Sequence, residues 1–149
     1  MKRISMAITT SLLVLICSGF AFASPKESAV ALVKKGVTHV KEVGKEKALA
    51  DFNDKNGKFV NGELYVFAYS LDGTIIAHPM NAKLIGRNMY EVTDADGKFF
   101  TKDFIAAVKG PGKGWIDYRW TNPVSKKIEA KSSYVEKAGD ILVGCGIYK

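Results

Sequence analysis

The fold is decided by the stretch ELYVFAYSLDGTIIAHP, residues 63–79. Its first half is rich in aromatic and β-branched residues, and its second half is shorter but similar, as in strands that form a half-buried surface. Between the halves lies Asp72-Gly73, a pair that tolerates the positive φ angles of a tight hairpin turn. The stretch therefore predicts two antiparallel strands in the middle of a sheet. The second strand ends at His78, next to aromatic rings, because Pro79 stops the ladder.

The chain begins with a stretch, residues 1–23, that is typical of a secretory signal peptide. A basic start precedes an apolar or small stretch at residues 6–22, and the A-x-A pattern of a signal peptidase site ends at Ala23. Polar breaks leave the apolar core short of the ~18 residues that a membrane-spanning helix needs, which favours export over a retained anchor. We therefore expect a periplasmic or secreted protein with one domain at residues 24–149.

The composition is that of an ordinary globular domain, with 149 residues of which 47% are hydrophobic and 25% charged. The formal net charge is +7, and two of the basic residues belong to the leader. The remaining basic residues are scattered, with adjacent pairs only at Lys34-Lys35 and Lys126-Lys127. This pattern indicates a solvated surface with some attraction for anions, and no nucleic-acid partner is expected.

The chain after the leader predicts a long amphipathic helix. Ser24 and Pro25 suit the N-cap and first helical position, and Glu27 completes a capping box. Apolar residues then recur at spacings of three and four at Ala29, Val30, Val33, Val37 and Val40. Residues 45–52 continue the pattern as a second helix or a bent extension.

The second half of the chain predicts one further helix and three strands. Apolar residues at positions 100, 104, 105 and 108 mark a helical face, and we expect Asp94 or Asp96 to cap that helix rather than to bind calcium. Strands are predicted at residues 115–120, 127–135 and 140–148. The order of elements predicts an α+β fold, with a long N-terminal helix packed on a central antiparallel sheet of about five strands.

Several dispersed motifs resemble the single Cache domain family, whose members are extracytoplasmic sensor modules related to PAS domains. The motifs are YSLDG at 69–73, HP at 78–79, LIGRN at 84–88, DG at 96–97, GKGW at 112–115, YRW at 118–120, KSSY at 131–134 and GCGIY at 144–148. The resemblance covers nearly all of the chain after the leader. It implies a small-molecule pocket on the face of the sheet opposite the long helix.

The resemblance also implies a function, because members usually act as sensor domains of chemoreceptors, histidine kinases or cyclase-type proteins and often bind small organic acids. The printed sequence ends at Lys149, directly after the last predicted strand. We therefore expect a free-standing module that carries or presents a ligand to a membrane partner such as a histidine kinase or a chemoreceptor.

The residues independently predict an anion site. A small carboxylate needs one cation and several hydrogen-bond donors in an apolar cavity, because an unpaired buried charge is costly. Lys131 is the candidate cation, and strand alternation places Tyr118 and Trp120 on one shared face. The other candidate ligand-binding residues are His78 as a donor, Arg87 as a second cation, and Tyr65, Phe67, Tyr69 and Tyr134 as aromatic contacts.

Each candidate has a structural alternative. His78 could tie down its loop by bonding a backbone carbonyl, and Arg87 could pair with Glu91 or lie in solvent. Lys131 could lie on the exposed face of its strand, which is the usual position of a strand lysine. About half of the aromatic residues are expected to be purely structural.

Two other functions remain open. The helix seam of Val33, Val37 and Val40 could pair two copies of the chain in a homodimer without a ligand. A small hydrolase with His78 as general base ranks below binding, because the sequence has no Ser/His/Asp arrangement, metal-ligand cluster or phosphate loop. We expect no enzymatic activity, no cofactor and no metal.

Overall fold

The computed structural model describes residues 23–149, and its first helices begin and end at clear local signals. The predicted capping box opens helix α1 (Pro25–Val43), where the Ser24 amide donates to the Glu27 carboxylate at 2.7 Å and the Glu27 amide donates to the Ser24 hydroxyl at 3.2 Å. Gly44 has a φ of 82° and separates α1 from α2 (Lys45–Asn53), so the second segment is a helix of its own.

Six strands form one antiparallel sheet. The strands are β1 (Val60–Asn61), β2 (Leu64–Ser70), β3 (Ile75–Ala77), β4 (Lys113–Thr121), β5 (Ile128–Ala138) and β6 (Ile141–Tyr148). Their order is β1-β2-β6-β5-β4, and β3 also pairs with β2. The sequence predicted about five strands, and the additional one is the two-residue β1, which is too short to leave a pattern.

The predicted hairpin of residues 63–79 is confirmed, although its turn is longer than a two-residue turn. Strands β2 and β3 pair with a bulge at Ala68 and Tyr69. Asp72 accepts hydrogen bonds from the Thr74 amide and the Ser70 hydroxyl, and Gly73 adopts a φ of 96°. As a result of this turn, β3 ends at the margin of the sheet, and His78 lies directly after its last residue.

Helices cover both faces of the sheet. Helices α1 and α2 cover one face, on which Val66, Ala68, Val143 and Cys145 are buried. Helix α3 (Phe100–Lys109) covers the other face, which carries most of the aromatic residues. Val33 and Val37 are 0% and 5% exposed within the core of their own domain. The seam predicted for homodimerisation is therefore already covered by the sheet.

The prediction that Asp94 or Asp96 caps helix α3 is wrong. The N-cap residue is Phe99, and it makes no side-chain capping bond. The Asp94 carboxylate instead accepts the amides of Asp96 and Lys98, which closes its own turn, and the amide of Arg119 at 2.8 Å, which ties that turn to β4. An Asx-type turn satisfies the same carboxylate locally, so the sequence pattern did not distinguish the two roles.

Among residues 23–149, no helix is both long enough and apolar enough to cross a lipid bilayer. Nearly all of the predicted signal peptide, residues 1–22, lies outside the described part of the chain. Its cleavage after Ala23 therefore stays a prediction.

Strand β6 carries two glycines on the face covered by α3. A Cβ at Gly144 would collide with the buried ring of Phe67. A Cβ at Gly146 would collide with the stem of Lys131 and with the hydroxyl of Ser133. Neighbouring strands therefore direct large side chains over β6, which is possible because β6 has none of its own at these positions.

Replacement of Gly144 by alanine should destabilise the domain. We expect Gly144→Ala to lower the free energy of unfolding by ~1–3 kcal/mol, because the added methyl group overpacks the core against Phe67. Urea unfolding with an unchanged m value measures this loss. Gly114→Ala is the control, since its Cβ would meet only the Ala107 methyl, at 3.2 Å. Equal losses in both variants would contradict the assigned role of Gly144.

Candidate functional site

The candidate site lies on the face of the sheet that α3 covers. Successive side chains of a strand point to opposite faces, so each strand contributes alternate residues to this face. These residues are Tyr65, Phe67 and Tyr69 from β2, Tyr118 and Trp120 from β4, Lys131 and Ser133 from β5, and Tyr148 from β6. The structure therefore brings together six of the predicted site residues, and His78 joins them from the end of β3.

Lys131 is the central side chain of this site. Lys131 is fully buried, with only 1% of its surface exposed. Its amine donates to the Tyr65 hydroxyl at 2.8 Å. The amine also lies 4.2 Å from the ring centroid of Tyr65 and 4.8 Å from that of Tyr148. None of the ion pairs found among residues 23–149 includes Lys131.

Burial lowers the pKa of the Lys131 amine from 10.5 to about 7. Two opposing effects act on the ammonium form. Ring faces attract a cation by roughly 0.5–2 kcal/mol each, whereas removing an ammonium from water without a counter-ion costs several kcal/mol. The cost of desolvation is larger, so the buried amine loses its proton near neutral pH.

His78 is held in one tautomer. Its backbone amide donates to the Asn53 side chain at 2.9 Å, and its Nδ1 accepts the Asn81 amide at 3.1 Å. Because Nδ1 accepts, the proton of the neutral ring is on Nε2. The sequence analysis considered a hydrogen bond from the His78 ring to a backbone carbonyl. In the structure, the ring instead accepts a hydrogen bond from a backbone amide. Burial, and next the nearby Lys131, lower the pKa of His78 to about 4.

Several hydroxyl groups extend the polar part of the site. Tyr148 donates its proton to the Thr121 carbonyl at 2.9 Å, and its oxygen lies 3.4 Å from the Tyr65 oxygen. Tyr118 and Ser133 share a hydrogen bond of 3.0 Å. Tyr65 thus accepts from Lys131 and has only a long contact for its own proton. A stronger hydrogen-bond acceptor placed beside Lys131 could accept a hydrogen bond from the Tyr65 hydroxyl.

The inner space around Lys131 is closed, whereas the sequence led us to expect an open hollow. The inner side chains leave no cavity large enough for a water molecule. An open cavity of about 300 Å³ lies directly outside. Tyr65, His78 and Trp120 line both spaces and form the wall between them. The rings of Tyr65 and Trp120 both pack against the ring of His78, and these contacts close the wall.

The outer cavity is lined by residues that sequence reasoning missed. They are Met80, Asn81, Leu84, Thr121, Asn122, Pro123 and Lys126. No aspartate or glutamate lines either space within the described residues. The side-chain amide of Asn122 donates hydrogen bonds to the carboxylates of Glu63 and Glu129 at 2.7 and 2.8 Å. We call these two groups the rim carboxylates. The dipeptide Asn122-Pro123 signals a turn, but no local pattern places that turn beside the site.

Two predicted residues lie away from the site. Tyr134 belongs to the opposite face of β5, where it joins the α1 core and donates to Glu136 at 2.9 Å. The period of two along a strand separates it from Lys131. Arg87 is exposed and does not line either space. Glu91, its suggested partner, pairs with Lys102 at 2.8 Å.

The chain belongs to the single Cache domain family, because the family model described as Single Cache domain 2 matches residues 27–149. Among curated proteins, it is similar to the methyl-accepting chemotaxis protein McpP of Pseudomonas putida (strain KT2440), with 29% identity over 86 residues. That match covers 56% of this chain and 16% of the receptor, so the chain spans a small part of that relative.

Solved structures with the same fold include sensor domains of chemotaxis proteins. A methyl-accepting chemotaxis protein from Vibrio parahaemolyticus RIMD 2210633 is 26% identical with a TM-score of 0.72, covering 83% of this chain and 87% of that one. A Cache chemosensory domain described for carboxylic acid recognition is 25% identical with a TM-score of 0.71, covering 83% and 92%. The α+β Cache fold predicted from the sequence is confirmed.

The lowered pKa of Lys131 should appear in the pH dependence of stability. The folded state binds fewer protons than the unfolded state between about pH 7 and pH 10.5, so the contribution of Lys131 to stability improves as pH rises. Relative to Lys131→Met, the free energy of unfolding of the wild type should therefore rise across this window by ~1.4 kcal/mol per pH unit. Urea unfolding at a series of pH values measures it.

Lys137→Met is the matched control, because Lys137 lies in the same strand and is exposed. Its difference from the wild type should be small at every pH. A difference for Lys131→Met that is equally flat would show that the buried amine keeps its ordinary affinity for protons.

Proposed function

We propose that this domain binds a small organic acid through Lys131 and presents it to a membrane signalling partner. The observation that carries the proposal is a fully buried amine that no carboxylate of the described chain neutralises. A buried amine without a counter-ion destabilises the fold, and a carboxylate ligand would remove that cost. Selection for binding explains a residue that is unfavourable for stability alone.

The donors around the amine suit a carboxylate. Lys131 has protons beyond the one that it donates to Tyr65, and the Tyr65 hydroxyl can turn its own proton toward a ligand oxygen. The Nε2 proton of His78 has no partner among the described residues. Charge-assisted hydrogen bonds of this kind are short and strong in a dry environment. The aromatic walls suit a short apolar chain attached to the carboxylate.

Entry of a ligand requires movement of the wall between the two spaces. Tyr65, His78 and Trp120 form this wall, and the outer cavity leads to it from solvent. Met80 and Leu84, on the segment that follows His78, line the outer cavity. This segment is anchored at Gly86, whose amide donates to the Ile75 carbonyl at 2.8 Å. The segment between His78 and Gly86 is therefore the part of the chain that we propose moves to admit a ligand.

The relatives support a role in chemotaxis or related signalling. One similar solved structure is described as the periplasmic sensor domain of a chemotaxis protein, and another as a Cache chemosensory domain for carboxylic acid recognition. By analogy, we propose that this chain is exported and acts with a membrane chemoreceptor or histidine kinase.

The mature protein should then begin at Ser24, which intact mass spectrometry of the exported protein measures. A mass that retains residues 1–23 would contradict cleavage at this site.

Short carboxylates should stabilise the protein. We expect at least one acid from a panel of short mono- and dicarboxylates to raise the melting temperature saturably, since a ligand at ~100 times its dissociation constant adds ~2.7 kcal/mol. Lys131→Met should weaken binding by at least ~30-fold, because one partner of a buried charge pair is removed. Thermal shift assays and calorimetry measure both effects.

Lys137→Met again serves as the control, and it should bind the same acid with unchanged affinity. Amino acids and purines complete the panel as ligands of other chemistry. If no carboxylate stabilises the protein, or if Lys131→Met binds as tightly as the wild type, the proposed function is wrong.

A further inference from the structure

The groups that face the Lys131 amine come from strands β2, β4 and β6 and from the end of β3. Strand β2 contributes Tyr65 and Phe67, β6 contributes Tyr148, β4 contributes Tyr118, and the end of β3 contributes His78. Cys145 is also near the amine in sequence register but is buried on the opposite face of β6. Burial raises the pKa of Cys145 to about 11 and of Tyr148 to about 12, and it also raises the pKa of Tyr65 and Tyr118. These groups are therefore neutral at physiological pH.

Two carboxylates of the rim are also close to the site. The charges of Glu63 and Glu129 raise the pKa of Tyr148, and both carboxylates accept hydrogen bonds from the side-chain amide of Asn122. Neither makes an ion pair with Lys131. The amine consequently has no negative charge within hydrogen-bonding distance among the described residues.

We propose that the site takes up one proton from solvent with each organic anion, so that Lys131 is neutral in the empty domain and becomes an ammonium when the carboxylate binds. This inference rests on the proposed function, because it concerns the same ligand. The ligand enters as an anion, and the proton forms the third N–H bond of the amine's ammonium. The net change in charge within the closed site is zero, which avoids a buried unpaired charge in either state.

The proton coupling makes binding depend on pH. In the empty domain the pKa of Lys131 is about 7, and a bound carboxylate raises it because an opposite charge favours the ammonium. A group whose pKa rises on binding contributes full affinity below the lower pKa and loses it as pH rises. Affinity for the anion should therefore fall about tenfold per pH unit above pH 7.

His78 is the other residue that could take the proton. Its Nδ1 accepts the Asn81 amide, so protonation at Nδ1 would break that bond. Its pKa of about 4 in the empty domain lies far below pH 8. Lys131 is therefore the proton acceptor that the geometry favours at neutral and alkaline pH.

Calorimetry of the wild-type domain tests the proposal. Sodium propionate is the first probe, because it joins a single carboxylate to a short apolar chain, and the acid that most stabilises the protein in the panel replaces it if propionate gives no heat. Titration at pH 8 in two buffers of different ionisation enthalpy counts the protons. We expect uptake of about 0.9 proton per anion at pH 8 and about 0.1 at pH 6.

The outcomes separate this inference from the proposed function. Binding with the same affinity at pH 6 and pH 8 and without proton uptake would overturn the inference and leave carboxylate binding intact. The absence of binding by every acid would overturn both. His78→Gln should retain the proton uptake per bound anion even if its affinity falls. Loss of uptake in that variant at pH 8 would assign the proton to the imidazole and overturn the role of Lys131.

Discussion

The contact between the Lys131 amine and the Tyr65 hydroxyl is the interaction on which the site depends. The amine is buried, and within residues 23–149 its partners are this neutral oxygen and the faces of aromatic rings. A lysine in such a position is costly, because its stem suits an apolar core but its ammonium form needs a counter-ion. The domain is thus folded around an amine that no carboxylate of the described residues neutralises.

The sheet makes this arrangement possible through its register. Strands β5 and β6 are joined by a short turn that pairs Ala138 with Ile141, and the same register places Gly146 opposite Ser133 and Tyr148 opposite Lys131. Since Gly146 lacks a side chain, the stem of Lys131 can lie across β6. The position of the amine is therefore set by backbone pairing and by a missing side chain as well as by direct contacts.

The wall between the two spaces is connected to both faces of the sheet. Tyr65, His78 and Trp120 separate the inner space from the outer cavity, and each also belongs to the aromatic contacts that fill the inner space. The loop after β3 is tied to α2 through the Asn53 side chain and the His78 amide. His78, a residue of the wall, is therefore hydrogen-bonded directly to a helix on the opposite face of the sheet.

The sequence by itself determined the longer elements, the α+β class, and the alternation that places Tyr118 and Trp120 on one face of β4 and separates Tyr134 from Lys131 in β5, because these depend on local periodicity and turn residues. The Cache resemblance added the side of the sheet that carries the pocket. Only the tertiary structure decided that Lys131 is buried, that Arg87 stays in solvent, that Asp94 ties its turn to β4, and that the inner space is closed. These features depend on strand register and on packing between distant segments, neither of which is encoded by local patterns.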